Sequence, residues 1–119
     1  MILVDTSIWV DHLRYGDQPL VDLLSSGQVL MHPFVCGELA LGNLKPRAEI
    51  LQLLSDLPQA TVAEEGELLH IVESRKLMGL GIGLIDTHLI ASALLDACML
   101  YTRDKRLLAV ATRLKIAYG

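Results

Sequence analysis

The chain opens on Ile2-Leu3-Val4, an apolar run too short for a helix and branched in the way a strand buried on both faces requires. The same pattern recurs at Val29 to Met31 and at Met99 to Thr102, and the runs at Ala60 to Val62 and Lys115 to Tyr118 read as further short strands. Between these runs the apolar spacing turns helical. Thr6 or Ser7 is placed to cap a helix to about Tyr15, with Asp11 and His12 on its polar side and Gly16 as its stop. Asp17 caps a second helix, with Pro19 in its first turn, which ends at Ser26 and Gly27. Pro33 starts a third, running to about Leu44, before Lys45-Pro46 breaks the chain. Arg47 to Asp56 is helical through Ile50, Leu51, Leu53 and Leu54, and Pro58 ends it. Glu64 to Leu77 carries acids in its first turn and Arg75 and Lys76 in its last, as the helix dipole prefers. Leu84 to Ala97 places Asp86, Ile90, Ala93 and Ala97 on one face, and Lys105 to Leu114 is the last helix. Strands alternating with helices predict an α/β protein whose parallel sheet is covered on both faces.

Composition narrows the class. With 119 residues, 52% of them hydrophobic and 20% charged, residues 1–119 can fill one core and form a single domain. The longest stretch free of Asp, Glu, Lys and Arg, Leu23 to Gly37, contains Ser25, Ser26, Gln28, His32 and Pro33 and cannot span a bilayer. The N-terminus enters directly as a strand, with no basic leader, so a cytoplasmic protein is expected. Cys36 and Cys98 lie far apart among apolar neighbours and read as buried thiols, neither a disulfide nor a metal site.

Candidate chemistry rests on four acids. Asp5 follows the first strand and Asp104 follows Tyr101-Thr102-Arg103, so both fall past the C-terminal ends of parallel strands, where ligands bind. Asp86 heads the inward stripe of its helix, and Glu38 falls in the second turn of the helix begun by Pro33. Carboxylates gathered in one crevice repel unless a hard cation such as Mg²⁺ shares them, which points to metal-assisted phosphate chemistry. Asp5 and Asp104 also read as plain helix caps. Glu38 and Asp86 resist a bland explanation, since apolar surroundings make an unpaired carboxylate costly.

The net charge of −4 argues against a nucleic-acid partner until the four acids are set aside, which leaves ten Asp and Glu against ten Lys and Arg. Five of those cations, Arg103, Lys105, Arg106, Arg113 and Lys115, crowd the C-terminal end around Asp104. Arg103, Lys105 and Arg106 are the candidates for phosphate contacts; a solvated helix face explains Arg113 and Lys115 as well. The loop of Gly79, Gly81 and Gly83 lacks the preceding strand and the following Lys-Ser/Thr of a nucleotide loop, and reads as a hinge or the lead-in to the next helix. Trp9 reads as packing, and His12, His32, His70 and His88 as structural histidines.

Val4-Asp5-Thr6-Ser7-Ile8-Trp9, Gly37-Glu38-Leu39, Asp86-Thr87-His88-Leu89-Ile90-Ala91 and Tyr101-Thr102-Arg103-Asp104, in that order, closely resemble the PIN-domain ribonucleases, and among them the VapC toxins of bacterial toxin–antitoxin pairs. The resemblance implies a three-layer α/β/α sandwich around a central parallel sheet, with Asp5, Glu38, Asp86 and Asp104 as catalytic residues around one or two Mg²⁺ or Mn²⁺ ions. It implies Thr6 and Thr102 as hydroxyl groups beside that site, cleavage of RNA such as tRNA or rRNA, and a cognate VapB-like antitoxin; the apolar helices at Trp9 to Leu13 and Ile50 to Leu54 offer surfaces for that partner or for a homodimer. Two other functions use the same pocket: a Mg²⁺-dependent phosphohydrolase with Asp5 as nucleophile, though Ser7 stands where such sites want a second Asp, and a non-catalytic RNA-binding or signalling module.

Overall fold

The computed structural model describes residues 1–119. Three strands, β1 (Ile2–Val4), β2 (Val29–Leu30) and β3 (Met99–Tyr101), form one parallel sheet in the order β2-β1-β3. Register pairs Ile2 with Val29 and with Met99, and Leu3 with Leu30 and with Leu100. The central strand is buried on both faces, which is why it reads as an unbroken apolar run. Seven helices cover the sheet: α1 (Thr6–Tyr15), α2 (Gln18–Ser25), α3 (Pro33–Ala40), α4 (Arg47–Asp56), α5 (Glu65–Arg75), α6 (Leu84–Leu95) and α7 (Lys105–Arg113). Helix α2 packs on β2, α6 packs on β3 and α5, and α3 is held between α1 and α4. None is long and apolar enough to cross a membrane. Cys36 and Cys98 are both free.

Both expected edge strands shrink to single bridges, Met31 with Gln59 and Leu100 with Ala117. On the first edge, Pro58 has no N–H to donate, and the next backbone groups are taken by the end of α6 and its cap: Thr61 N–H donates to the Asp96 carboxylate at 2.8 Å and Ser92 Oγ donates to Thr61 O at 2.6 Å. The run at Ala60 to Val62 is therefore not a strand. Helix α3 stops at Ala40, four residues short of Leu44, because Arg47 reaches back and donates to Ala40 O at 2.6 Å and Gly42 O at 3.1 Å. Helices α5 and α6 also end early, at Lys76 (φ 55°) and just before Ala97 (φ 51°), each closed by a left-handed residue.

The order β2-β1-β3 makes the chain leave β1 to one side and return on the other, opening a crevice at the C-terminal ends of β1 and β3. The turns around it are fastened by charge. Asp17 caps α2 by accepting from Leu20 N–H at 3.0 Å, accepts from Tyr101 Oη at 2.9 Å, and pairs with Arg103, which also donates to Asp11 at 3.1 Å. Burial alone would raise the Asp17 pKa, but the Arg103 guanidinium, the Tyr101 hydroxyl and the Leu20 N–H outweigh it and hold the carboxyl below its ordinary range. A depressed folded-state pKa contributes stability above the unfolded value near 3.8, lost as pH falls through the lower folded value. Replacing Asp17 by Ala removes a cap and strands a buried hydroxyl, so urea unfolding at neutral pH should show a loss of roughly 2–4 kcal/mol. That loss should shrink below about pH 4, where the wild type no longer benefits from the ionised carboxylate.

Candidate active site

Asp5 is the N-cap of α1 and is almost fully buried, at 6% exposure. Its Oδ1 accepts from Thr6 N–H at 2.7 Å; its Oδ2 accepts from Ser7 Oγ at 2.8 Å and Thr102 Oγ1 at 2.7 Å. Three donors, each worth about 1.5–3 kcal/mol against a charged acceptor, offset the cost of burying the group and fix its orientation. Its backbone N–H donates to Tyr101 O at 2.9 Å, so the end of β1 is tied to β3 before either loop departs. Asp104 is the N-cap of α7 through Oδ1, which accepts from Leu107 N–H at 2.9 Å, while its own N–H donates to Thr102 Oγ1 at 3.1 Å. Capping and site-building are thus the same act: the cap fixes the rotamer, and the strand end points it at the crevice.

Glu38 is exposed, so the expectation of apolar surroundings does not hold for it. What places it is Thr6, whose Oγ1 donates to Glu38 Oε1 at 2.7 Å and links α1 to α3. Asp86 meets the expectation better. It is half-buried in the first turn of α6, and burial raises its pKa, with further upward contributions from Asp5, Asp104 and Glu38 that the Gly83 backbone only partly opposes. Four chain segments therefore bring their negative charges within mutual range at one mouth.

Those carboxylates are not closed around a common point: no three acidic, imidazole or thiolate groups converge as a ready ligand set. Asp5, Glu38 and Asp104 are each turned to hydrogen-bond donors of the protein. The donor set still fits a hard divalent cation, being all oxygen and carrying unshared negative charge that raises Asp86. Asp5, Asp86 and Asp104 could hold such an ion, with Glu38 from the α3 side.

The other expected residues divide. Thr6 and Thr102 stand at the site as donors to Glu38 and Asp5. Arg103, expected to meet substrate phosphate, is committed to the protein: it pairs with Asp17 and Asp11 and lies 5.7 Å from the Tyr101 ring centre. Two acids flanking it outcompete solvent for a guanidinium fork. Lys105 and Arg106 are exposed on the first turn of α7, where Arg106 packs over Gly81 and donates to its carbonyl at 3.3 Å. A side chain at Gly81 would meet that guanidinium at 2.8 Å. Gly83 is the N-cap of α6, and its carbonyl accepts from Thr87 Oγ1 at 2.8 Å. Ser7 was legible only as a possible cap, yet its Oγ both donates to Asp5 and accepts from Arg103 N–H at 3.2 Å. Hydroxyl residues clustered next to strand-end acids, at 6, 7 and 102, were the signal for it.

Comparison with known proteins bears on the fold and the family. The family model for the PIN domain matches residues 2–113. Ribonuclease VapC32 of Mycobacterium tuberculosis, from strains CDC 1551 / Oshkosh and ATCC 25618 / H37Rv, is 46% identical over 118 residues, covering 98% of this chain and 95% of the relative. Among solved structures, FitAcB from Neisseria gonorrhoeae superposes with a TM-score of 0.67 at 22% identity, covering 98% of this chain and 95% of that one. PAE2754 from Pyrobaculum aerophilum gives 0.69 at 17%, covering 98% and 87%. These two bear on the fold alone. Strand-end acids on a β2-β1-β3 parallel sheet, a domain match along nearly the whole chain and a closely similar ribonuclease lead to one conclusion: this chain belongs to the PIN-domain family, in its VapC ribonuclease branch.

Proposed function

We propose that this protein is a divalent-metal-dependent endoribonuclease, the toxin of a toxin–antitoxin pair, which acts in the cytoplasm as a homodimer and blocks translation by cutting tRNA or rRNA. The observation that carries this reading is that Asp5, Glu38 and Asp104, from three separate segments, lie within electrostatic range of Asp86 on a fourth, at the crevice beside β1 and β3. A Mg²⁺ or Mn²⁺ ion held by these acids would supply the Lewis acidity that activates water and stabilises charge building on a phosphodiester. The chain's own residues do the positioning. Thr6, Ser7 and Thr102 hold Asp5 and Glu38 at the mouth, so that cation binding has only to close the carboxylates on a common point. With three donors on its two oxygens Asp5 is a poor nucleophile, which favours hydrolysis by water over a covalent aspartyl-phosphate.

The direct test is incubation of partner-free protein with cellular RNA and Mg²⁺ or Mn²⁺, with fragment ends sequenced. Cleavage should leave 5′-phosphates, stop with EDTA, and fall about 100-fold or more in Asp5→Ala. Intact RNA under all metals, from protein that melts normally, would refute the reading.

Lys105 and Arg106 are the substrate-phosphate contacts in this reading, since Arg103 is paired internally. The double reversal Lys105→Glu/Arg106→Glu should slow RNA cleavage by roughly tenfold and flatten its salt dependence, while the metal-induced rise in melting temperature stays. Unchanged kinetics would remove these two cations from the substrate path.

The antitoxin is assigned to the groove of about 310 Å³ lined by Trp9, Leu13, Leu24, Ile50, Leu54 and Leu57. Its lining is almost wholly apolar, which suits the apolar face of an incoming segment. An Arg of the same segment, reaching the acidic mouth, would pair with the carboxylates and block the site. Co-expressed complex should lack ribonuclease activity, and replacing that Arg with Ala should restore part of it while the complex persists. A complex fully active on RNA would mean that the pocket is not occupied.

A further inference from the structure

Phe34, the chain's single phenylalanine, is 37% exposed in the first turn of α3. Residues four apart share a helix face, so Phe34 and Glu38 form one row, whose far end is pinned towards α1 by the Thr6–Glu38 hydrogen bond of 2.7 Å. On its other side the Phe34 ring meets His88 edge-on, with centres 4.8 Å apart and planes at 79°. Phe34 thus lies one helical turn before Glu38, which sets the ring on the α3 side of the acidic mouth, and through His88 it touches α6, the helix that carries Asp86.

The ring is held more firmly than an exposed apolar side chain needs to be. His32, fully buried, lies against it at 4.9 Å and accepts from the Phe34 backbone N–H at 3.0 Å through Nδ1. That bond keeps the imidazole neutral with its proton on Nε2, and burial, with His88 nearby, lowers its pKa to about 4. His88 is itself buried, at 9% exposure. Two buried rings thus brace Phe34 from beneath while one part of it faces solvent.

A mouth lined by carboxylates repels phosphate, and the exposed cations Lys105 and Arg106 sit on another helix, α7. Nucleic acid at the α3–α6 rim therefore needs an attachment that does not depend on charge, and an aromatic face offers one to any unstacked base. We propose that Phe34 is a stacking platform for an unpaired RNA base next to the phosphate to be cut, with His32 and His88 as its positioning residues. This rests on the endoribonuclease reading and deepens it: the ring sets which base stands beside the cut.

The test uses the full chain, Mn²⁺ and short unstructured RNA oligonucleotides of random sequence, with cleavage ends sequenced. Phe34→Ala and Phe34→Leu should each lower kcat/KM by roughly tenfold and flatten the base preference beside the cut; Phe34→Trp should retain both. All three should keep the wild-type elution volume on size exclusion and the wild-type response to Mn²⁺. Phe34→Leu keeps apolar packing against His88, so a Leu variant with the wild-type rate and base preference would overturn the proposal. A shifted elution volume in Phe34→Ala would overturn it too, by placing the ring in a contact between copies. Wild-type protein that leaves every oligonucleotide and total cellular RNA intact would bring down the ribonuclease reading itself, whereas wild type that cuts only the cellular RNA would overturn the platform, which needs no more than an unpaired base beside the cut.

Discussion

Like charges gathered at one sheet edge push apart, and everything around the crevice of this protein works against that repulsion. Asp5 survives nearly full burial because three donors converge on it, two of them hydroxyls, one from the start of α1 and one from the turn after β3. Remove those donors and the same carboxylate becomes a costly buried charge. The residual imbalance surfaces at Asp86, which lacks an equivalent set and whose pKa is raised by burial and by its three acidic neighbours. The site is therefore poised: rigid where hydroxyls lock it, and electrostatically unrelieved where a cation would bind.

Rigidity has a second source behind the first. Asp17, Tyr101, Arg103 and Asp11 tie the turn after β3 to α1 and α2, and Ser7 joins this network to Asp5 by accepting from Arg103 N–H. The chain thus commits a cation beside the pocket to internal order. That leaves Lys105 and Arg106 as the positive charge next to Asp104 that no acid pairs, and it separates the duties of neighbouring residues where β3 passes into α7.

The central features were legible because short buried strands announce themselves, and a parallel sheet delivers the residues after its strands to one edge. Asp5, Asp104 and the helix alternation emerge from that rule alone. The edge strands were not legible: nothing in Ala60-Thr61-Val62 says that Asp96 and Ser92, more than thirty residues later, will claim the Thr61 backbone. Nor does sequence tell that Arg47 ends α3 early, or that Arg103 turns inward, since both depend on side chains meeting across the fold. The apolar neighbours of Glu38 in the chain point to burial, when an exposed hydrogen bond from Thr6 is what directs it. Cap and site readings of Asp5 and Asp104 compete in the sequence and coincide in space.

The most direct test of this electrostatic account is the melting temperature of wild type and Asp86→Asn, followed through a Mn²⁺ titration at constant ionic strength. Removing one charge from a repelling cluster should raise the metal-free melting temperature of the variant and shrink its rise with Mn²⁺, whereas the wild type should gain several degrees as the ion binds the folded state. Metal-free melting that is identical in the two proteins, with equal gains from Mn²⁺, would contradict the claim that the four carboxylates share one unrelieved field.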